Sequence, residues 1–300
     1  MHVISMNLEK CDVCPLKCGV NRKINFGRCG AGKNIKIALA SVHKFEEPCI
    51  SGENGSGTVF FSNCNLKCVY CQNYKISHLG YGKDISVEHL AEIFLSQQAK
   101  GVNNINLVTP TMYVPQIISA IKIAKTRGLS IPIIYNSSGY ESIDTLKELN
   151  GYIDVYLPDF KYYFSDIARK YSNIDNYFEV ASKAISYMYK QVGDPVFDDN
   201  GIITKGLVIR HMILPNNVNN SKKVLEWIKD NLSNKVYISV MAQYFPTYNA
   251  MKYEEIKRKI NSDELNEVWD YIEYLGFENG YIQELGEHEE EYVPDFDLSE

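Results

Sequence analysis

The sequence predicts an α/β protein built on a parallel sheet with crossover helices, arranged as a partial (β/α)6 barrel behind a small N-terminal cysteine-rich metal-binding segment. From residue 58 onward, six short runs of β-branched and aromatic residues alternate with segments of helical hydrophobic period. Strands that alternate with helices in this way form parallel sheets. All eight cysteines lie within the first 71 residues, which gives the amino-terminal quarter a chemistry of its own.

The predicted strands and helices follow one another in regular order. Strands are predicted at residues 58–61, 105–109, 131–136, 152–157, 207–214 and 236–241. Helices are predicted near residues 86–100, 113–127, 141–149, 175–191, 220–231 and 263–275. Ser86 suits the N-cap of the first helix, and Gly101 suits its end. We expect a metal-binding segment at 1–50, a barrel at 51–285 and an acidic tail at 286–300.

The composition argues against several classes of function. The formal net charge of -6 argues against a broad nucleic-acid surface, because phosphate binding needs clustered Lys and Arg. No apolar run approaches the roughly 18 residues of a membrane helix. The opening residues lack the pattern of a signal peptide. We therefore expect a cytoplasmic protein that binds neither nucleic acid nor membranes.

The most informative motif is a three-cysteine loop directly after the first predicted strand. Cys64, Cys68 and Cys71 lie in the run CNLKCVYC. Three thiolates on so short a loop can hold three corners of a cubane iron-sulfur cluster, whereas an electron-transfer cluster normally has four cysteine ligands. The fourth iron is then open to a cofactor or substrate. A structural zinc with His78 as its fourth ligand is the alternative.

Polar residues also gather where the predicted strands end. In parallel α/β proteins the functional residues lie at the carboxyl ends of the strands, so we expect these residues to share one edge of the barrel. Arg210 and His211 are neighbours in the fifth strand, and a regular strand turns only one of them inward. The other strand-end segments are TPT at 109–111, NSSG at 136–139, PDFK at 158–161 and AQYFP at 242–246.

The CX3CX2C motif, with Tyr70 before its last cysteine, resembles the cluster loop of radical S-adenosylmethionine (SAM) enzymes. More narrowly, the phrases NLVTPT, YNSSGY and YLPDFKY make the chain similar to the uncharacterised branch related to pyruvate formate-lyase activating enzyme. The resemblance covers roughly residues 56–285 and implies a partial (β/α)6 radical SAM barrel. It further implies a [4Fe-4S] cluster on the three cysteines, with the amino and carboxylate groups of SAM on the open iron.

The resemblance implies a reaction and partners as well. Reductive cleavage of SAM yields a 5′-deoxyadenosyl radical, which abstracts hydrogen from the substrate. The implied substrate is a protein or peptide, with activation of a glycyl radical enzyme as one form of the reaction, and the implied electron donor is a flavodoxin or ferredoxin. One alternative is radical modification of a small molecule or peptide side chain. The other is a non-catalytic iron-sulfur electron carrier or zinc-stabilised binding module.

Contacts to SAM carry over from the family position by position. Thr109 and Thr111 occupy the place of the Gly-Gly-Glu segment that holds the SAM amino group. Asn136 and Ser138 match a segment that reaches the ribose. In the family's Asp-x-Lys, the lysine is suited to the SAM carboxylate. The candidate catalytic residues are Lys161 and Arg210, and the other candidate cofactor contacts are Tyr70, Asp159 and Gln243.

Four further cysteines precede the barrel. Cys11, Cys14, Cys18 and Cys29 offer four soft ligands, enough for a tetrahedral zinc or for a complete second [4Fe-4S] cluster. Their spacing leaves both metals open, and the need of the neighbouring chemistry for an electron favours iron-sulfur. Cys49, the eighth cysteine, is expected to be an unligated thiol.

Overall fold

An open, mostly parallel sheet organises the computed structural model, which describes residues 6–233, 235–286, Pro294 and Phe296. The strands are β1 Ile35–His43, β2 Ser56–Phe61, β3 Lys83–Ile85, β4 Ile105–Val108, β5 Ile133–Ser137, β6 Val155–Pro158, β7 Val196–Phe197, β8 Ile203–Met212, β9 Tyr237–Met241 and β10 Gly280–Ile282. The helices are α1 Pro48–Ser51, α2 Tyr74–Ser77, α3 Val87–Ala99, α4 Val114–Thr126, α5 Ile143–Leu149, α6 Ser165–Ser172, α7 Tyr177–Val192, α8 Val218–Asn231 and α9 Ser262–Leu275. Short 3-10 turns lie at Thr111–Tyr113, Ala250–Lys252 and Glu254–Ile256.

The strand order of the sheet is β10-β9-β8-β6-β5-β4-β2-β1-β3, with β7 beside β8. The six predicted strands are β2, β4, β5, β6, β8 and β9, and each runs parallel to the next. The sheet path is open, as in a partial barrel. The predicted α/β class and its parallel core are therefore confirmed.

The strand at Ile35–His43 belongs to the same sheet, although its residues fall within the predicted metal-binding segment. It pairs antiparallel with β2, from Ile37 opposite Phe61 to His43 opposite Ser56. An antiparallel partner covers the backbone edge that β2 would otherwise expose. The sheet therefore begins before residue 51.

The segment after β1 closes the amino-terminal end of the barrel. In α1, Cys49 and Ile50 pack in one cluster with interior side chains of β5, β6 and β8, namely Ile134, Val155, Leu157, Ile203 and Val208. Asn103 donates to the Ser51 carbonyl at 2.6 Å, and Asn104 donates to the Ile50 carbonyl at 2.8 Å. Because these asparagines precede β4, α1 lies at the opposite end of the strands from the cysteine loop.

Helix ends and helix positions agree with the sequence in most places. Ser86 caps α3 by accepting a hydrogen bond from the His89 backbone N–H, as predicted. Helix α6 was not predicted, because the run SDIARKYS is mostly polar and buries only three of its side chains. None of the described helices is long and apolar enough to cross a membrane.

Two residues of the predicted acidic tail contact the barrel. Phe296 is buried against Phe60, with ring centroids 5.5 Å apart, and Pro294 lines the barrel cavity. The remaining tail positions after Gly286 lie outside the described residues.

Glu141 is buried between β5 and the turn after β4. Its carboxyl group accepts hydrogen bonds from the Thr111 hydroxyl at 2.6 Å and from the Tyr135 hydroxyl at 3.2 Å. Burial raises the pKa of Glu141 to about 7, although these hydrogen bonds oppose the rise. The folded protein therefore holds a proton here that an unfolded glutamate releases at lower pH.

We predict that the free energy of unfolding falls between pH 5 and pH 8 because of Glu141. The stabilising contribution of the bound proton is complete below the unfolded pKa of 4.5 and is lost as the pH rises through about 7. The full loss is about 3 kcal/mol. Urea unfolding across this range should show a flatter pH dependence for Glu141→Gln than for the wild type or for the exposed control Glu88→Gln. Equal slopes in all three proteins would contradict the prediction.

Candidate functional site

A cavity of about 590 Å³ occupies the barrel interior, a volume typical of a ligand or cofactor site. With the exception of Thr111, every barrel residue predicted for the site lines this one cavity. They are Cys64, Cys68, Tyr70, Cys71, Thr109, Asn136, Ser138, Asp159, Lys161, Arg210 and Gln243. Arg210, and not His211, faces inward, since His211 is hydrogen-bonded to the Phe160 carbonyl and to Ser221 on α8.

The cysteine loop between β2 and α2 is fixed by its own backbone. Asn63 and Lys67 have φ values of +73° and +55°, which turn the chain sharply in the left-handed region. The Asn63 backbone N–H donates to the Ile76 carbonyl at 2.8 Å, and its side chain donates to the Tyr113 hydroxyl at 2.9 Å. The loop is therefore closed on itself and tied to the turn after β4.

Burial and mutual proximity keep the Cys64 and Cys71 thiols of the loop protonated in the absence of a metal. Burial raises the pKa of Cys64 to about 11 and that of Cys71 to about 12. The Cys68 sulfur raises both further by charge repulsion, and the Lys161 cation lowers both. Binding to iron replaces these protons, because only the thiolate is a metal ligand.

The donor set fits an iron-sulfur cluster. Three soft sulfurs line one wall of the cavity, and soft thiolates favour iron-sulfur clusters or zinc. In the parts of the chain that the structure describes, no group of three or more His, Cys, Asp or Glu is positioned to hold a metal ion. A cluster binds each thiolate through a different iron, so its ligands need not converge on one point. His78 is turned away, with its Nε2 2.9 Å from the Cys68 carbonyl oxygen.

Hydroxyl groups contact two of the three sulfurs. Ser172 donates to the Cys68 sulfur at 3.0 Å, and the Ser77 hydroxyl lies 3.2 Å from the Cys71 sulfur. Behind Ser172, the Tyr162 hydroxyl lies 2.8 Å from the serine oxygen and 2.6 Å from the Tyr70 hydroxyl. A row of three hydroxyls therefore ends at Cys68. Hydrogen bonds to ligand sulfurs help to set the reduction potential of a cluster.

Asp159 joins two cations at the carboxyl end of β6. Its Oδ2 accepts from Lys161 at 2.6 Å, and its Oδ1 accepts from the Arg210 Nε at 3.0 Å. Burial alone would raise the pKa of Asp159, but the two cations outweigh it and hold that pKa below its usual range. Burial would likewise lower the pKa of Lys161, yet Asp159 raises it above the usual value. All three groups are therefore charged at neutral pH.

The Arg210 guanidinium extends this network across the cavity. Its Nη2 donates to the Asn136 side-chain oxygen at 2.6 Å, and its Nη1 donates to Glu46 at 3.3 Å. Glu46 also accepts from Asn106 at 2.9 Å. Burial raises the pKa of Glu46 to about 7, although Arg210 opposes the rise.

The turn after β4 is strained where it meets the cavity. Thr109 has a φ of +57°, an unusual conformation for a β-branched residue. Its backbone N–H donates to the Asn136 carbonyl at 2.9 Å. The turn then carries Thr111 away from the cavity to its hydrogen bond with Glu141. The structure thus places one of the two predicted threonines in the cavity wall and the other behind it.

Two polar groups of the wall complete the cavity. The Ser138 hydroxyl is buried and has no hydrogen-bond partner among the described residues, as expected of a group that serves a ligand. Gln243 is held by Gln283, whose side chain contacts its backbone N–H at 3.1 Å and its Oε1 at 3.3 Å. The Gln243 carbonyl accepts from Gln72 at 3.0 Å, which ties the cysteine loop to β9.

The four amino-terminal cysteines come close together outside the barrel. A Cβ atom on Gly27 would lie 3.2 Å from the Cys29 sulfur and 3.8 Å from the Cys18 sulfur. Burial raises the pKa of Cys14 to about 12, and the Cys29 and Cys11 sulfurs raise it further. In Cys18, backbone hydrogen bonds outweigh burial and lower the pKa. The four thiols are therefore neighbours that do not converge on a single point, an arrangement that a cluster with one iron for each thiolate accepts.

Comparison with known proteins identifies the family. The family model of the radical SAM superfamily matches residues 58–199, from β2 and the cysteine loop to the end of β7. A curated relative, the uncharacterized protein MJ0674 of Methanocaldococcus jannaschii, is 30% identical over 283 residues, which cover 90% of this chain and 76% of that protein. The chain belongs to the radical SAM superfamily. Radical SAM proteins are enzymes, and membership implies a [4Fe-4S] cluster and SAM.

A solved structure shares the fold of this chain at low sequence identity. Streptococcus suis SuiB, bound to its precursor peptide SuiA, matches with a TM-score of 0.50 and 16% identity over 75% of this chain. The match spans 47% of SuiB, about half its length. A domain of pyruvate-formate lyase-activating enzyme from Bacteroides vulgatus has a TM-score of 0.42 and 14% identity, covering 58% of this chain and 94% of that domain.

Several cavity residues of this radical SAM protein were not identified from the sequence. Glu46 and Glu47 line the cavity although they precede the barrel strands, and Ser172 reaches Cys68 from the end of α6. The sequence feature that could have drawn attention to the two glutamates is that they are adjacent acids between an apolar strand and Pro48. No signal in the sequence indicates the role of Ser172, because it ends a mostly polar run outside the predicted strands.

We predict that Asp159→Asn destabilises the protein by about 3 kcal/mol, because breaking a buried ion pair leaves uncompensated charge. Here two cations, Lys161 and Arg210, would lose their shared carboxylate, and all three side chains are at most 17% exposed. Urea unfolding measures the loss. Asp175→Asn, which breaks the exposed pair with Arg169, is the matched control and should change stability little. Comparable losses in both variants would contradict the buried role of Asp159.

Proposed function

We propose that this radical SAM protein cleaves SAM reductively and abstracts hydrogen from a protein or peptide substrate. The observation that supports it is a single cavity lined both by Cys64, Cys68 and Cys71 and by the buried charges of Asp159, Lys161 and Arg210. Activation of a glycyl radical enzyme is one form of this reaction. The proposal includes a reducing cytoplasmic location and an electron donor such as flavodoxin or ferredoxin.

Lys161 and Arg210 would position SAM through unused N–H groups. Among the described residues, the Lys161 ammonium has one acceptor, Asp159, so two of its three hydrogens are free for the SAM carboxylate. Arg210 makes hydrogen bonds through Nε, Nη1 and Nη2 and keeps two further N–H groups. Because Asp159 keeps both groups charged, the cations need not be reorganised when a carboxylate binds.

The adjoining wall at the end of β5 would hold the nucleoside. Ser138 has a buried hydroxyl without a partner among the described residues, and a ribose hydroxyl is a suitable partner. Asn136 already accepts from Arg210 and retains its amide hydrogens for a ligand. Thr109 lines the same wall. These contacts fix the orientation of SAM, which is the principal means by which a protein directs a radical to one hydrogen.

The cluster and SAM would supply one chemical step, and the side chains around the cavity would protect it. When bound, the cluster and SAM supply a one-electron cleavage that gives methionine and a 5′-deoxyadenosyl radical. The side chains around the cavity exclude water and competing donors, because Leu66, Tyr70 and Phe61 are at most 3% exposed. Exclusion of side reactions is the protein's share of such a mechanism.

We predict that iron- and sulfide-reconstituted protein forms 5′-deoxyadenosine from SAM when reduced with dithionite. Cys64→Ala removes one of three cluster ligands and should abolish the product, whereas Cys49→Ala removes a thiol of α1 at the amino-terminal end of the barrel and should retain it. The product is measured by liquid chromatography with mass spectrometry. If the wild type forms no more 5′-deoxyadenosine than Cys64→Ala, the protein is not a SAM-cleaving enzyme and a non-catalytic carrier becomes the better description.

We also propose that Cys11, Cys14, Cys18 and Cys29 hold a second metal site, with iron-sulfur favoured over zinc. The Cys29 and Cys18 sulfurs lie close to Gly27, Cys11 and Cys14 interact electrostatically with Cys29, and a complete thiolate set suits either metal. Arg22 is buried beside them, with Nη1 3.9 Å from the Cys11 sulfur and 2.7 Å from the Met112 carbonyl oxygen. The site is thereby linked to the turn after β4.

We predict that Cys29→Ser lowers the metal content of the anaerobically purified protein without removing the first cluster. For a second [4Fe-4S] cluster the variant should lose about half of the iron, because four of eight irons depart. Elemental analysis for iron and zinc measures the change, with Cys49→Ser as the control. Loss of zinc at constant iron would assign the site to zinc. An unchanged content of both metals would rule out a metal at these cysteines.

A further inference from the structure

The end of the cavity remote from the cysteines is formed by Glu46, Glu47 and Pro48, which we call the floor. Glu47 is 9% exposed. Its Oε2 is buried and has no hydrogen-bond partner among the described residues. A buried polar group without a partner is costly, and a buried carboxylate is costlier still. An orphan carboxylate in a cavity wall therefore indicates a ligand.

The floor and the cysteine loop lie at opposite ends of β2. The antiparallel register places His43 beside Ser56, the first residue of β2, and Ile37 beside Phe61, the last. Glu46 follows His43, and Cys64 follows Phe61. Five residue steps of a strand span about 17 Å. The floor is therefore remote from the cysteines, although Glu46 meets the proposed SAM contacts at Arg210.

Only one of the two floor glutamates is satisfied within the protein. Both oxygens of Glu46 accept hydrogen bonds, from Asn106 and Arg210. Glu47 acts on Arg210 through its charge, but Arg210 gives its hydrogen bonds to Asp159, Glu46 and Asn136. Glu47 is thus left with an unused acceptor at the cavity.

The charge of the interior also favours a cation. Three buried carboxyl groups face two buried cations along the cavity, namely Glu46, Glu47 and Asp159 against Lys161 and Arg210. Of the other lysines in the wall, Lys44 is exposed and Lys67 belongs to the cysteine loop. With all five groups ionised, one carboxylate is uncompensated, and a cationic guest would also favour the charged form of Glu46, whose pKa burial raises to about 7. A positively charged group bound at the floor would neutralise the excess negative charge and would also donate a hydrogen bond to Glu47.

We propose that the floor binds a cationic group of the substrate, an alkylammonium or guanidinium, through the Glu47 carboxylate. The inference rests on the proposed function in one respect: the guest belongs to the molecule from which hydrogen is abstracted. Met212, Met241 and Tyr281 line the same cavity and suit the apolar stem of a lysine-like or arginine-like chain. The ammonium of SAM is a poor candidate, because the family places it on the open iron at the cysteine end.

The test uses n-butylammonium as the probe and 1-butanol as its neutral counterpart. Both are titrated calorimetrically into reconstituted, SAM-saturated protein. The wild type should bind the cation about tenfold more tightly than the alcohol, because a charge-assisted hydrogen bond contributes at least this factor. Glu47→Gln should lose this preference while binding the alcohol as before. Glu47→Asp should restore part of it, and the exposed control Glu53→Gln should behave as the wild type.

A separate titration with SAM distinguishes the two ligands. The dissociation constant for SAM should change less than twofold in Glu47→Gln. Equal affinity of the wild type for cation and alcohol, or an unaltered preference in Glu47→Gln, would overturn the proposal. An equal weakening of SAM binding would overturn it too and assign Glu47 to the cofactor. The 5′-deoxyadenosine assay remains independent, so its failure would count against SAM cleavage alone.

Discussion

The carboxylate of Asp159 allows two buried cations to remain charged inside the barrel. Asp159 accepts from Lys161 and Arg210 at once, and each of these cations would otherwise carry the full cost of leaving water. Because Arg210 also reaches Asn136 and Glu46, the same carboxylate orients groups from β5, from β8 and from the segment after β1. Three separate parts of the chain are thereby brought to one charge network.

The barrel interior is divided along its axis into two regions of different character. The cysteine end carries soft sulfurs and hydroxyl donors, whereas the floor carries carboxylates behind a plug formed by Cys49 and Ile50. An open sheet would leave its lower end accessible to water, and the plug removes that access. The apolar cluster around Cys49 and Ile50 therefore also shields Glu46 and Glu47 from water.

The strands and most residues of the cavity wall could be predicted from the sequence, because the pattern that marks them is local. Each barrel strand is a short apolar run followed by polar residues, so that both the strand and its end can be identified from the sequence. The alternation of a strand predicts that only one of Arg210 and His211 faces inward, and in the structure Arg210 lines the cavity while His211 points outward. The residues of the floor could not be predicted from such a local pattern. Glu46 and Glu47 enter the cavity because β1 returns antiparallel along β2, and no local pattern indicates such a long-range pairing. Thr111 was likewise carried behind the wall by a backbone turn at Thr109.

The row of hydroxyls behind the cysteine loop has a definite polarity. Each hydroxyl has one hydrogen to donate, so when Ser172 donates to the Cys68 sulfur, it must accept from Tyr162, which in turn accepts from Tyr70. A protonated Cys68 can donate its own hydrogen and allow the whole row to reverse. A thiolate cannot. A thiolate at Cys68 therefore fixes the orientation of three hydroxyl groups together. The direction in which the Tyr70 hydroxyl donates is then set by the Cys68 sulfur, although two other hydroxyls lie between them.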